Sequence, residues 1–177
     1  TKRIIKSLIV VHAYGHAANI EEALNICKDF KLELLEDSAE CIGSYYKKKH
    51  LGTFGKIGIL SFNGNKTITT GAGGAILTNN FEIYKKAKKL TTTAKIPHQW
   101  EQKFETLGFN YKMNNLNAAL GCSQIKKLNI ILRRKRKLNK FYEIIFKDEK
   151  KVKLIQEQKN TKTNFWLNCL LLKKNTK

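Results

Sequence analysis

The sequence is short of the features that mark membrane, secreted and metal-binding proteins. No stretch approaches the roughly eighteen consecutive apolar residues of a membrane span. The opening TKRIIKSLIVVHAYG has only a short apolar run and no small-residue cleavage site. This excludes a spanning helix and predicts a cytoplasmic protein with no membrane partner. Cysteine is scarce: Cys27, Cys41, Cys122 and Cys169 are scattered, with no CxxC pair and no histidine at ligand spacing. Reduced, buried thiols are expected rather than disulfides or zinc. Acidic residues number 14 against 34 Lys plus Arg, leaving a net charge of +20, and proline occurs once. Such a charge raises nucleic acid as a partner, because clustered cations displace counterions from phosphates. The lysines, however, are spread along the whole chain among many Asn and Ile, as from a biased coding source, and the aromatics sit mainly in apolar segments. No nucleic-acid partner is expected. The one dense run, RRKRK at 133–137, lies in a helical pattern and reads as a solvated helix face.

What is present suffices for one globular domain: 177 residues, 42% hydrophobic, 10% aromatic, without internal repeats. KSLIVVHAYG is a continuous apolar strand ending in a glycine turn. NIEEALNICKDF follows as a helix with Asn19 at its N-cap and Ala23, Leu24, Cys27 and Phe30 on one face. LELLED is a second strand, so strand, helix and strand form a βαβ unit with a parallel sheet. Its acidic end puts Asp37 at the carboxyl edge, where such sheets bind ligands. YYKKKHLGTFG predicts a hairpin or exposed loop, KIGILSFN a strand delivering Ser61, and GGAILTNN a strand capped by Asn80 into the helix FEIYKKAKKLTT. Residues 91–112 read as a long irregular loop, functional or disordered. From Asn114 one long helical pattern runs on, with Gly121 as a kink or break. NFWLNCLLLK is a last strand without a partner in the tail. That orphan strand and the opening without an initiator methionine suggest a piece of a larger protein.

Taken singly, Asp37 fits a cap on a helix over SAECIG, Ser61 a strand-end hydroxyl and Lys66 a solvated cation. Together they are more specific. In LSFNGNKTITTGAGG the lysine follows a strand end and precedes glycine-rich backbone. A lysine held where its neutral amine is favoured forms a Schiff base with a carbonyl cofactor. An aspartate opposite suits a pyridinium nitrogen, and small hydroxyls with free backbone N–H groups suit a phosphate. The three describe pyridoxal phosphate.

EDSAE, SFNGNKTITTGAGG and GFNYKMNNLNAALG, in this order and spacing, resemble the nucleotide-sugar aminotransferases of the DegT/DnrJ/StrS family. These use pyridoxal phosphate on an aspartate-aminotransferase-like fold. The resemblance implies an α/β chain, part of a fold type I pyridoxal-phosphate transferase large domain with a mostly parallel sheet. Residues 1–150 would be a partial large, cofactor-binding domain and 151–177 the start of a truncated small domain. Asp37 would face the pyridine nitrogen. Lys66 would hold the cofactor covalently and move the proton, and Ser61 would bind its phosphate. Glu40 stands where members place a His, Gln or Glu near the ring. Asn110 resembles the asparagine that reaches the cofactor phosphate of the other subunit, which implies a homodimer with shared sites. Lys112 departs from the usual arginine of the NYR motif and Ala72 from a Glu or Gly. On this resemblance the family's upstream phosphate grip would precede Thr1, and most of its small domain would follow Lys177. The implied reaction moves an amino group from an amino acid, expected to be glutamate, to a nucleotide-linked 4-keto-deoxysugar for surface glycans, lipopolysaccharide among them. The alternatives are a catalytically inactive fragment and a non-catalytic regulator, which would be expected to lose the lysine. His12 is read as a hydrogen-bonded structural histidine. His16, His50 and His98 lack the companions of a metal set, and Trp100 and Trp166 are read as packing residues.

Overall fold

The computed structural model describes residues 3–173. Its central sheet is ordered β1 (Ser7–Val11), β2 (Glu33–Asp37), β5 (Ile57–Ser61) and β6 (Gly74–Leu77). β1, β2 and β5 are parallel, and only β6 runs antiparallel to β5. Helix α1 (Ile20–Asp29) makes the crossover from β1 to β2, with the Asn19 side chain accepting from the Glu22 N–H. The α/β class, the mostly parallel sheet and the first crossover match the expectation.

Alternation along the strands sorts their side chains. Leu8, Val10 and Leu34 turn toward Ile20, Ala23 and Cys27 of α1 and form the main core with them. The opposite face carries the row Val11, Asp37, Ile59 and Ile76. Val11, Ile59 and Ile76 remain exposed there, so the described residues cover only one face of the sheet.

The hairpin of β3 (Tyr45–Tyr46) and β4 (Lys49–His50) forms as expected. α2 (Phe81–Thr91) is capped by Asn80. Within the expected irregular segment, β7 (Lys95–Ile96) and β8 (Lys103–Phe104) pair as a small hairpin, and Thr92 bridges Asn110. Trp100, at its tip, is 84% exposed and packs no core. α3 (Asn115–Lys126) begins at the Asn114 cap and runs through Gly121 without a break. The interruption falls at Lys127, from which α4 (Leu128–Phe146) departs. Gly121 answers a packing demand instead, since a Cβ there would stand 2.8 Å from Thr70 Cγ2. The RRKRK run splits. Arg133, Arg134 and Lys137 are exposed, whereas Lys135 and Arg136 turn inward and donate to the carbonyls of Trp166 and Thr163.

The last apolar segment is corrected by the structure. Only β11 (Leu170–Leu172) is strand, and it does have a partner, pairing antiparallel with β9 (Val152–Leu154). β10 (Thr161–Lys162) joins β3, and the Asn164–Trp166 stretch is a buried loop because the Asn164 side chain bonds backbone that a strand would leave to a neighbour. The described cysteines are all free; Cys27 and Cys41 are buried as expected, but Cys122 is exposed. No helix of the described residues is long and apolar enough to cross a membrane.

Candidate active site

The carboxyl ends of the three parallel strands meet at one edge. Val11 is level with Asp37 and Asp37 with Ile59, two residues before Ser61. Asp37 caps no helix, since residues 38–44 are successive turns; its Oδ1 accepts from the Ala39 N–H at 3.1 Å. Ser61 closes β5, and its hydroxyl accepts from Asn63 N–H at 3.3 Å. The chain then turns, with Lys66 N–H donating to Asn63 carbonyl, and returns to β6 after Thr70 N–H bonds the Phe62 carbonyl. Ile68 and Thr70 bury the inner side of this loop, while Gly64 has open space around it.

Lys66 is not solvated. Its side chain is 13% exposed, and Nζ lies 3.4 Å from Glu40 Oε1 and 4.2 Å from the centroid of the Trp166 ring. The other oxygen of Glu40 accepts from Tyr14 N–H at 2.6 Å, an N–H freed by Tyr14's left-handed backbone (φ 58°). Burial pushes the Cys41 thiol well above its ordinary range, Glu40, Asp37 and Glu36 push the same way, and Lys66 opposes them. Asn164, fully buried, ties the turn to the lysine loop. Its Nδ2 donates to the carbonyls of Glu40 and Ile42 at 2.7 and 3.0 Å, and approaches Thr67 Oγ1 at 3.4 Å. Gly15 makes room for it, because a Cβ there would lie 2.0 Å from Asn164 Oδ1.

Behind Asp37 sits Glu36, on the opposite face of β2, with a fully buried side chain. Its oxygens accept from the N–H groups of Gly52, Phe54 and Gly55 at 2.8, 2.6 and 2.6 Å. His12 completes the set: its Nδ1 accepts from Ala18 N–H, so its Nε2–H donates to Glu36 Oε2 at 3.1 Å. Burial alone would raise the Glu36 carboxyl, but the bonds from His12, Gly55 and Gly52 prevail and hold it below its ordinary value. His12 is therefore the structural histidine expected.

The structure brings Asp37, Glu40, Ser61 and Lys66 to one strand edge. Asn110 stands apart from them, exposed and fixed by the Thr92 bridge. Its segment does approach the lysine loop from the far side: a Cβ at Gly73 would meet Met113 Cε at 2.7 Å, and Asn117 Nδ2 donates to the Ala72 carbonyl at 3.3 Å. Sequence reasoning missed Glu36, Tyr14 and Asn164, and it assigned Trp166 to packing alone. The TNFW segment carries no local signal for its contacts, which are made with residues about a hundred positions earlier. Among the described residues no three of His, Cys, Asp or Glu are grouped to hold a metal ion.

A primary amine, a strand-end carboxylate and a hydroxyl beside open backbone form the donor set for an aldehyde cofactor bearing a basic ring nitrogen and an anionic group. Comparison with known proteins agrees. The model of the DegT/DnrJ/EryC1/StrS aminotransferase family matches residues 1–177. GDP-perosamine synthase of Escherichia coli O157:H7 is 34% identical over 168 residues, 94% of this chain and 45% of the relative. The protein named pyridoxal phosphate-dependent aminotransferase EpsN in Bacillus subtilis is 35% identical over 94% of this chain and 43% of its own length. The solved structure of Helicobacter pylori PseC, an aminotransferase of pseudaminic acid biosynthesis, superposes with a TM-score of 0.91 at 29% identity, over 96% of this chain and 46% of PseC. The chain spans somewhat under half the length of these relatives.

Proposed function

We propose, from the premise that this chain belongs to the DegT/DnrJ/EryC1/StrS aminotransferase family, that the whole protein is a pyridoxal-phosphate-dependent sugar aminotransferase. It takes an amino group from an amino acid, glutamate on this reading, and delivers it to the keto carbon of a nucleotide-linked 4-keto-deoxysugar. A 4-amino sugar for surface glycans such as lipopolysaccharide results, made in the cytoplasm. The nucleotide sugar in the name of GDP-perosamine synthase supports that substrate class.

The observation that carries the reading is Lys66, a shielded primary amine 3.4 Å from Glu40 at the edge where Asp37 and Ser61 end their strands. Bound pyridoxal phosphate supplies an aldehyde that joins Lys66 and a ring that takes up electrons. Asp37 holds a proton on the ring nitrogen through a charge-assisted hydrogen bond. The Ser61 hydroxyl and the open backbone at Gly64 receive the phosphate. Lys66 would hold the cofactor's aldehyde and, as a free amine, would carry the proton lost from the donor's α-carbon, with Glu40 orienting its Nζ. Asn110, exposed here, is free to serve the site of a second subunit, as a homodimer with shared sites requires. Residues 1–150 belong to the cofactor-binding domain and 151–177 open the small one; the last four lie outside the described residues. The matched relatives are roughly twice as long, so these 177 residues alone are an incomplete catalyst. A non-catalytic regulator would not need to keep the lysine.

Borohydride reduction of the whole protein with pyridoxal phosphate tests this. The adduct is expected on the peptide containing Lys66 and is lost in Lys66→Ala. An adduct on another lysine overturns the assignment.

A further inference from the structure

We infer that Trp166 is a positioning residue for Lys66, a role that rests on the reading of Lys66 above. The indole bears on the lysine in two ways. Its face lies under the ammonium, with Nζ 4.2 Å from the ring centroid. Its Nε1–H donates to the carbonyl of Asn65, the residue before the lysine, at 2.8 Å. A cation over an indole face is attracted by the ring quadrupole, and more so where water is thinned. The hydrogen bond fixes the backbone from which the lysine side chain springs.

Trp166 is itself held on every side. Its N–H donates to Asn164 Oδ1 at 2.8 Å, and its carbonyl accepts from Lys135 Nζ at 3.0 Å. Burial holds Lys135 below its ordinary value, and the carbonyl satisfies an amine already withdrawn from water. Tyr14 stacks on the indole at 6.5 Å with planes 15° apart, and the same Tyr14 N–H fixes Glu40, the other partner of Nζ. Any residue here would make the two backbone bonds, but the Nε1–H bond to Asn65 and the ring face under Nζ belong to tryptophan alone. A lysine that takes up a proton during turnover becomes an ammonium, and the Trp166 face with Glu40 would hold that charge in one place.

The test uses the whole protein labelled with carbon-13 lysine, with Lys66→Arg identifying the Lys66 signal. Over an indole, the Lys66 Hε protons are expected upfield of those of exposed lysines. They should stay partly shifted in Trp166→Phe, which keeps a ring face, and move to the exposed position in Trp166→Leu. The half-reaction with glutamate should slow by roughly ten- to a hundredfold in Trp166→Leu with KM little changed, and less in Trp166→Phe. A folded Trp166→Leu that keeps the upfield signal, or reacts within about twofold of the parent, shows Trp166 to be packing only. If Trp166→Leu does not fold, the parent decides: an unshifted Lys66 signal overturns the inference. Borohydride trapping in the parent checks the assignment of Lys66 separately.

Discussion

At the scale of single residues, a carboxylate buried away from any lysine or arginine must be solvated by donors, and Glu36 collects four of them. Their bonds explain why its carboxyl stays below the ordinary value despite burial. The stabilisation is complete above pH 4.5, the reference value, and is lost as pH falls through the lowered folded value. Two histidines act in the same direction from a higher pH. Partial burial holds His16 and His50 below 6.5, partly opposed by Glu157 and by the Leu51 carbonyl respectively, so charging them costs more in the fold than in the unfolded chain and their contribution declines as pH drops below 6.5. Urea denaturation from pH 7 down to about pH 2 should show a two-stage loss of stability. Glu36→Ala should lose about 3–5 kcal/mol at pH 7, because it orphans buried N–H groups, and should flatten the lower stage. The placing of Asp37, Ser61 and Lys66 at neighbouring strand ends was legible in the sequence because it is local to two short motifs. Glu36 was not, although it adjoins Asp37, because its partners lie in a turn sixteen to nineteen residues later and on another strand's end.

At the scale of elements, the lysine loop takes its shape from α3. Gly121 lets the helix lie against Thr70, and Gly73, with φ 121°, turns the chain beneath Met113. Gly121→Ala places a methyl 2.8 Å from Thr70 Cγ2 and should cost about 1–3 kcal/mol by overpacking. Thr70→Ser removes the opposing methyl but keeps the hydroxyl that donates to the Ala72 carbonyl. The double variant should therefore recover much of that loss, and a cycle of unfolding free energies measures the coupling. Additive losses would mean that the two groups do not touch. The helix starts at Asn19, Asn80 and Asn114 were readable because each cap needs only the next three residues. The break at Lys127 was not, since neither glycine nor proline marks it. The glycine at 121 suggested a kink only because its true neighbour, Thr70, is fifty-one residues away.

At the scale of the whole molecule, the restraints on the lysine loop are made late in the chain. Asn164 bonds Glu40 across 124 residues, and Trp166 bonds Asn65 across 101. During synthesis, β1, α1, β2 and β5 can assemble from residues 7–61, whereas the clamp on Lys66 must await residue 166. The loop is thus complete in sequence long before it is closed in space, as long-range contacts dictate. Trypsin, which cuts after lysine, reports the interval. In ribosome-bound nascent chains whose emerged portion stops short of Asn164, cleavage after Lys66 should be rapid. Once Trp166 has emerged, that bond should become resistant while exposed sites such as Lys137 are still cut. Protection of Lys66 in the shorter chains would show that the early strands close the loop unaided. With the clamp arriving only at Trp166, the order of translation sets when the amine is first sheltered: a newborn chain carries it open for the time taken to add about a hundred residues, several seconds or more at roughly 5–20 residues per second.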